Sequence, residues 1–410
     1  MGALLRDRRS LRRFFAAFFQ SQIGTGAAYV ALLLVAYHRL HSGWAISLVL
    51  LGEFLPGIVL SPVFGSLADH VSRRRLAVAG DLLRAGAFIA LALIPSFTAT
   101  VALALVAGVG TALFRPAINA ALPGMVASED RSKLIALFYA SVNTGLMLGP
   151  ALAAVMLTFA SAQEVLLING LTFIVSALLL STVDLGPRAD EGDAADESRG
   201  RESLLAQTRT GARAVIEIPG VAVVMVVGAL VVVTGAMFNV LAPLLATGPL
   251  HVGGTGYSVL WAFYGTGMVV GSLLNARAGS EIAGLRRRWL LGIALSGVAM
   301  GCAALAPSLA VALIAFMLVG LSENLLVGPE MRLVQELVAE RLLGRVFGLK
   351  DVLENIAFVI AFVGAGALLT VAGARVVFVG AGLATVALAL FGALAFRTAT
   401  TGEPALAPGD

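Results

Sequence analysis

The amino-acid sequence predicts an all-α membrane protein in which twelve transmembrane helices form two pseudo-symmetric six-helix bundles. Three observations lead to this fold class. Of the 410 residues, 59% are hydrophobic and 13% are charged, whereas soluble domains carry about 25% charged residues. Apolar stretches recur along the chain, and each is long enough to cross the hydrocarbon core, which takes about 20 residues. Most of the basic residues lie in the polar segments outside these stretches.

The apolar stretches fall into two sets of six, separated by one long polar segment. The first set covers residues 14–37, 45–68, 76–95, 98–122, 134–159 and 165–183. The second set covers residues 221–246, 255–276, 289–305, 309–327, 347–371 and 376–396. Strands of a membrane barrel span about 10 residues and alternate in polarity, so these stretches predict helices. We expect an N-terminal bundle over 1–183, a linker over 184–218, a C-terminal bundle over 219–397 and a disordered tail over 398–410.

The long polar segment predicts a cytoplasmic linker. Its first part is rich in acidic residues and has few apolar anchors, a composition typical of mobile chain. Residues 203–218 regain an apolar spacing, which predicts a helix lying along the inner membrane surface. Pro219 would end that helix and begin the seventh span.

The distribution of basic residues predicts which side of the membrane each segment faces. Arginine and lysine gather on the cytoplasmic side of membrane proteins. If both termini are cytoplasmic, nearly all of the 28 basic residues fall in cytoplasmic segments, and only Arg39 and Arg375 fall in outside turns. The composition, rich in arginine, alanine, glycine and valine, favours a bacterial source. We therefore expect a bacterial cytoplasmic (inner) membrane protein with both termini inside.

An internal repeat relates the two halves of the chain. Gly65-Ser66-Leu67 in the first half matches Gly271-Ser272-Leu273 in the second, and each is followed by three consecutive arginines. In transporters, such a repeat implies two similar bundles with a cavity between them.

The first of these segments resembles the loop between the second and third helices of the major facilitator superfamily of transporters. It contains Gly65, Asp69 and Arg73 in the pattern G-x-x-x-D-x-x-x-R-R-R. The resemblance implies a charge latch that holds the cytoplasmic side shut, and Asp81 and Arg84 match positions that extend it. Topological anchoring alone explains the arginines at 73–75, but it requires neither Gly65 nor Asp69.

Gly145, Gly149 and Pro150 in the fifth stretch resemble a motif of the superfamily's exporters, G-x-x-x-G-P-x-x-G-G, with Ala153 and Ala154 replacing the last two glycines. Small residues at this spacing also let any two membrane helices pack closely. The resemblance implies export in exchange for protons.

Two further segments are similar to the drug–proton antiporter branch that contains macrolide exporters. They are the stretch around Phe114-Arg115-Pro116 and the stretch from Leu343 to Leu349, which contains Arg345. Siderophore exporters and lysophospholipid transporters share much of this pattern. The cargo class is therefore left open by the resemblance.

Ionisable groups inside a bilayer are costly and are functional candidates for that reason. Glu53 and Glu323 are our candidates for proton coupling. Many relatives place an acid in the first span, whereas this chain has Gly24-Thr25-Gly26. If that acid couples protons in the relatives, another group must do so here. The alternative for Glu53 is that it faces water near the outer mouth. Further gate candidates near the inner mouth are Arg345, Lys350 and Asp351.

Polar and large side chains within the spans are candidates for lining a substrate cavity, because an amide facing lipid lacks partners. The candidates are Gln22, Arg115, Asn143, Met147, Asn239, Trp261 and Glu354. His38 and His41 have no companion ligands, so we expect no metal. The single Cys302 excludes a disulfide framework. No nucleophile triad and no phosphate-binding loop is present, so we expect neither an enzyme nor a cofactor.

The sequence thus predicts a secondary transporter that exports an amphipathic small molecule, such as a drug, an antibiotic or a natural product, by proton antiport and alternating access. Its expected partners are the lipid bilayer, the substrate and protons, with no nucleic acid, and we expect a monomer. The alternative cargo is a lysophospholipid or a siderophore. A third possibility is a transporter-like sensor that moves no cargo. Such a protein would be expected to lack buried ionisable groups or to carry an added soluble domain, whereas this chain has ionisable groups within its predicted spans.

Overall fold

The computed structural model describes residues 9–127, 130–183, 185, 215–276 and 281–400. Some side chains within these ranges, including those of Asp69, Asn143 and Met147, lie outside the described set. The predicted tail and most of the predicted linker with its interfacial helix also lie outside it, although residues 215–217 are helical.

Within the described residues the chain forms twelve long α-helices and no strand. The helices of the first half are α1 Arg9–Leu40, α2 Gly43–His70, α3 Arg73–Leu93, α4 Phe97–Ala121, α5 Arg131–Met156 and α6 Ala162–Ser181. Those of the second half are α7 Pro219–Thr247, α8 Gly253–Ala276, α9 Ile282–Ala304, α10 Leu309–Leu337, α11 Glu340–Val371 and α12 Ala374–Thr400. A short 3₁₀ helix, Leu122–Met125, follows α4.

Over their described residues, ten of these helices are long and apolar enough to cross a bilayer. The other two are α5, several of whose side chains are not described, and α9, which carries Arg286, Arg287 and Arg288 near its start. The predicted all-α membrane fold is confirmed. The count of twelve spans stays a prediction.

Polar residues at the helix ends explain where several helices begin. Ser42 precedes α2 and its hydroxyl accepts a hydrogen bond from the Trp44 amide at 3.2 Å. Ser161 and Glu164 form a reciprocal capping box at the start of α6, with the Ser161 amide donating to Glu164 Oε2 at 2.6 Å. Such caps satisfy amides that have no partner within the helix.

The helices gather into two compact units, which are called the first unit and the second unit below. The first unit contains α1–α6 and residues 252–262, which include the start of α8, and the second contains α7, the rest of α8 and α9–α12. Aromatic residues such as Phe14, Phe18 and Phe114 build the core of the first unit. Trp289 and Phe396 contribute to the core of the second unit, together with valines of α7.

Candidate functional site

A buried cluster of charged residues lies in the second unit. Glu330 of α10 is only 4% exposed, and its Oε1 is 3.1 Å from Lys350 Nζ of α11. The same ammonium group also binds Oε1 of Glu354. The indole N–H of Trp289 donates to Glu330 Oε2 at 3.2 Å. One ammonium group therefore lies between two carboxylates, and one of these accepts a further hydrogen bond.

Residues from three other helices surround Glu330 in this position. A Cβ added at Gly228 of α7 would lie 2.7 Å from Glu330 Oε1, so a larger residue at this position would displace the carboxylate from its present place. Trp289 is completely buried on α9. Lys350 and Glu354 are four residues apart on α11, a spacing that places two side chains on the same face of a helix. The cluster is therefore built by packing among α7, α9, α10 and α11.

Glu323 lies two helical turns before Glu330 on α10 and is half-buried. It is within electrostatic reach of Glu330 and Glu354 and of Tyr264 on α8. The sequence-predicted coupling candidate Glu323 thus lies close enough to Glu330 and Glu354 to add a third negative charge to their surroundings.

Two members of this cluster, Glu330 and Trp289, were missed by sequence reasoning. Glu330 follows Gly328-Pro329, which we took as the end of the tenth span, whereas α10 continues through Pro329 to Leu337. The seven-residue spacing from Glu323 was the signal that would have found it, because residues seven apart share a helix face. Of the other predicted gate residues of α11, Asp351 is exposed and Arg345 is half-buried.

A buried ion pair lies in the first unit. Arg84 and Asp81 of α3 pair with each other across three residues, and both are buried. The Arg84 guanidinium carbon lies 4.2 Å from the ring centre of Phe114 on α4 and 4.3 Å from that of Phe173 on α6. Cation–π contacts of this kind are strongest when desolvated, so the pair ties α3 to both neighbours.

The remaining residues of the predicted latch lie around the turn between α2 and α3. Gly65 lies within α2, and Arg73 begins α3 with a half-buried side chain. The side chain of Asp69 is outside the described set. The latch therefore stays a prediction.

Glu53, the other predicted coupling residue, lies where α2 crosses α4, and its backbone is close to Gly108. Its Oε2 is buried and has no hydrogen-bond partner among the described residues. A Cβ added at Gly108 of α4 would lie 2.5 Å from the Glu53 backbone oxygen, which shows how closely the two helices approach. Glu53 is thus half-buried at a tight helix interface, with one carboxylate oxygen enclosed.

The glycines of the predicted antiporter-like motif pack α5 onto α1. A Cβ at Gly145 would lie 2.7 Å from the Gln22 backbone oxygen, and one at Gly149 would lie 2.5 Å from the Gly26 Cα. Pro150 is buried within α5. A Cβ at Gly24 would lie 2.7 Å from Asn169 Oδ1 of α6. The Gly24-Thr25-Gly26 segment of α1 therefore serves close packing on two sides.

The predicted cavity residues occupy different environments. Gln22 is half-buried and Arg115 is exposed. The Asn239 amide donates to the Ala236 backbone oxygen of its own helix at 3.2 Å. Trp261 is buried in the first unit, and its ring meets that of Tyr29 edge to face at 5.7 Å. The side chains of Asn143 and Met147 are not described.

Two apolar cavities each lie within a single unit. One, of about 170 Å³, lies among α1, α5 and α6, and the other, of about 540 Å³, lies among α9, α10 and α12. None of the predicted substrate residues whose side chains the structure describes lines either cavity. In the described part of the chain, no group of three or more His, Cys, Asp or Glu side chains is placed to hold a metal ion.

The helical fold matches solved structures of membrane transporters. The nucleoside transporter NupG aligns with a TM-score of 0.76 at 12% identity, over 95% of this chain and 100% of that chain. A bacterial homologue of the human lysosomal transporter Spinster aligns with a TM-score of 0.72 at 16% identity, over 98% of this chain and 100% of that chain. At these identities the likeness shows the fold alone, which is that of a multi-span transporter.

The family follows from the sequence. The model for the Major Facilitator Superfamily matches residues 14–233 and 224–410, and this chain belongs to that family. Macrolide efflux protein A of Streptococcus pyogenes is 23% identical over 359 residues, which cover 84% of this chain and 85% of the relative. The multidrug efflux pump Tap of Mycolicibacterium fortuitum is 27% identical over 379 residues, covering 86% and 89%.

These findings confirm the resemblance drawn from the motifs. The chain is a membrane transporter of the Major Facilitator Superfamily, with efflux proteins among its bacterial relatives. The family and these relatives are transporters and not enzymes.

Proposed function

We propose that this chain exports an amphipathic small molecule from the bacterial cytoplasm in exchange for protons, by alternating access. The observation that carries the proposal is the excess of acid over base in the charged cluster of the second unit, where Glu330 and Glu354 both contact Lys350 and Glu323 is within electrostatic reach of these two carboxylates. The relatives that are named for macrolide efflux and multidrug efflux support export as the direction.

Carboxyl groups at such positions support proton coupling for an energetic reason. A charge inside a bilayer is costly unless it has a partner, so a buried carboxyl without a cation of its own is a site where a proton can be bound and released. Glu53 meets this condition at its buried Oε2, which has no hydrogen-bond partner among the described residues. Glu323 is half-buried and lies near the carboxylates of Glu330 and Glu354, so binding a proton would relieve their repulsion. Glu53 and Glu323 are our coupling residues.

The orientation we propose places both termini and the arginine-rich turns in the cytoplasm of the cell. Gly65, Asp69 and Arg73 then lie on the cytoplasmic side, where the latch would break and re-form during each cycle. The bundle boundaries that we propose are residues 1–183 and 219–397, with a cytoplasmic linker between them.

The amount of drug that accumulates inside cells tests the proposal directly. The chain would be expressed in a bacterial host that lacks its own drug pumps, and the accumulation of labelled erythromycin and ethidium would be measured. We expect accumulation of at least one of these probes to fall several-fold, and to recover when a protonophore collapses the proton gradient. Accumulation of both probes equal to that of the empty-vector strain would contradict drug export. A changed lysophospholipid content with unchanged drug accumulation would instead favour lipid cargo.

A further inference from the structure

Lys350 contacts two carboxylates that belong to different helices. Its Nζ lies 3.1 Å from Glu330 Oε1 on α10 and also binds Glu354 Oε1, one turn further along α11. The lysine side chain is 14% exposed and that of Glu330 is 5% exposed. One ammonium group neutralises only one of these two carboxylates, so the trio carries an extra negative charge unless a proton joins it.

The other helices packed around Glu330 supply no second cation to it among the described residues. α7 presents Gly228, and α9 presents the neutral indole of Trp289. Two nearby arginines of α9, Arg286 and Arg288, contact other groups. Arg288 donates to the Gly284 backbone oxygen at 3.2 Å and to Asn275 Oδ1 at 3.3 Å, and Arg286 lies over the ring of Phe396 at 4.9 Å.

The two oxygens of Glu330 have different partners. Oε2 accepts the Trp289 N–H, and Oε1 faces Lys350. A proton that binds Oε1 removes the charge that attracts the ammonium group. Lys350 does not then become an unpaired buried cation, because Glu354 is already in contact with it. When Glu330 is protonated, Lys350 can therefore separate from it without becoming a buried charge that lacks a partner.

We propose that Glu330 is a further proton carrier, in addition to Glu53 and Glu323, and that Lys350 passes its ion pair from Glu330 to Glu354 when a proton binds Glu330. The proposal rests on proton antiport as the proposed function. In the protonation step, a proton from water joins Glu330 Oε1 and the Glu330–Lys350 contact breaks, while Lys350 keeps Glu354. Loss of the proton to water restores the contact between α10 and α11. The contact between these helices thus depends on one proton.

Trp289 provides a reporter for this step that needs no cargo. The chain has three tryptophans, and a Trp44→Phe, Trp261→Phe variant retains only Trp289. Because its indole N–H donates to Glu330, its emission depends on whether that carboxyl is charged. We expect a single transition in emission when the full-length protein in lipid nanodiscs is titrated between about pH 5 and pH 9, the range of shifted carboxyls and histidines.

Variants of the single-tryptophan protein identify the titrating group. Glu330→Gln is expected to abolish the transition. The matched control is Glu336→Gln, which alters an exposed acid on the same helix and is expected to leave the transition unchanged. A flat titration in the parent protein, or a transition that survives Glu330→Gln, would overturn the proposal.

Lys350→Gln provides a second test if Glu330→Gln does not fold. Removal of the counter-ion is expected to move the Trp289 transition to higher pH, because the buried carboxylate loses its attractive partner. A transition at the same pH as in the parent protein would contradict the role assigned to Lys350. Since the titration contains no cargo, it can succeed even if drug export fails, and the two proposals are tested separately.

Discussion

Gly149 of α5 lies against Gly26 of α1 so closely that a Cβ on Gly149 would come within 2.5 Å of the Gly26 Cα. We expect Gly149→Ala to destabilise the protein by about 1–3 kcal/mol, the usual cost of overpacking. The midpoint of thermal unfolding in detergent measures this effect. Gly86→Ala is the matched control, because a Cβ at Gly86 meets no atom within 4 Å and alanine favours a helix by up to about 1 kcal/mol. Equal midpoints for the two variants would contradict the prediction.

The Asp81–Arg84 pair is expected to show strong coupling. Arg84→Met leaves the Asp81 carboxylate buried without its cation, and breaking such a pair typically costs about 3–5 kcal/mol. The double variant Asp81→Asn, Arg84→Met removes both charges and should recover part of that loss. Thermal midpoints of the wild type, the two single variants and the double variant form the required cycle. Additive effects would show that the pair contributes no coupling.

Glu53 and Glu323 are expected to be needed for proton-driven export. Glu53→Gln and Glu323→Gln should each reduce gradient-driven efflux of erythromycin by about tenfold or more while the protein stays folded, because an amide cannot carry a proton through the cycle. Proton-gradient-driven uptake of the drug into everted vesicles, in which export fills the lumen, measures this, with size-exclusion profiles as the check on folding. Glu336→Gln serves as the exposed control. Unchanged efflux in both test variants would discard these two residues as coupling groups.

Asp69→Asn tests the latch between the second and third helices. We expect the efflux rate to fall severalfold more than the affinity for the drug, because the latch acts on the conformational step and not on cargo binding. Initial efflux rates and equilibrium erythromycin binding separate the two effects. A normal rate with weakened binding would place Asp69 in the binding site and remove the latch.

The orientation is tested at the turn that follows α2. Arg74 is exposed, and Arg74→Cys in a Cys302→Ser background is expected to react with a membrane-impermeant maleimide only after the cells are opened. The same background with Arg375→Cys, at a predicted outside turn, should react in intact cells. Labelling of position 74 in sealed cells would show that this turn is outside and that the proposed orientation is wrong.

The positions of most membrane-spanning helices could be predicted from the sequence, because the hydropathy of a span depends only on consecutive residues. The predicted spans 165–183 and 221–246 correspond to α6 Ala162–Ser181 and α7 Pro219–Thr247, since caps and prolines bound the apolar runs. The prediction for the tenth span was too short. We ended it at residue 327, before Gly328-Pro329, but α10 runs to Leu337. Neighbouring groups in a membrane protein can satisfy the backbone that a proline frees, and this extension brings Glu330 into the charged cluster.

By itself, the sequence determined an all-helical membrane transporter of the Major Facilitator Superfamily, because span length, charge placement and motif spacing are properties of consecutive residues. Only the tertiary structure decided that Lys350 meets Glu330, that Trp289 donates to the same carboxylate and that Arg84 lies between two phenylalanine rings. Those contacts join residues that are distant along the chain. They depend on how each helix is rotated about its axis relative to its neighbours, and hydropathy does not specify this rotation. The glycines at the tightest crossings allow the helices to approach closely enough for these contacts to form.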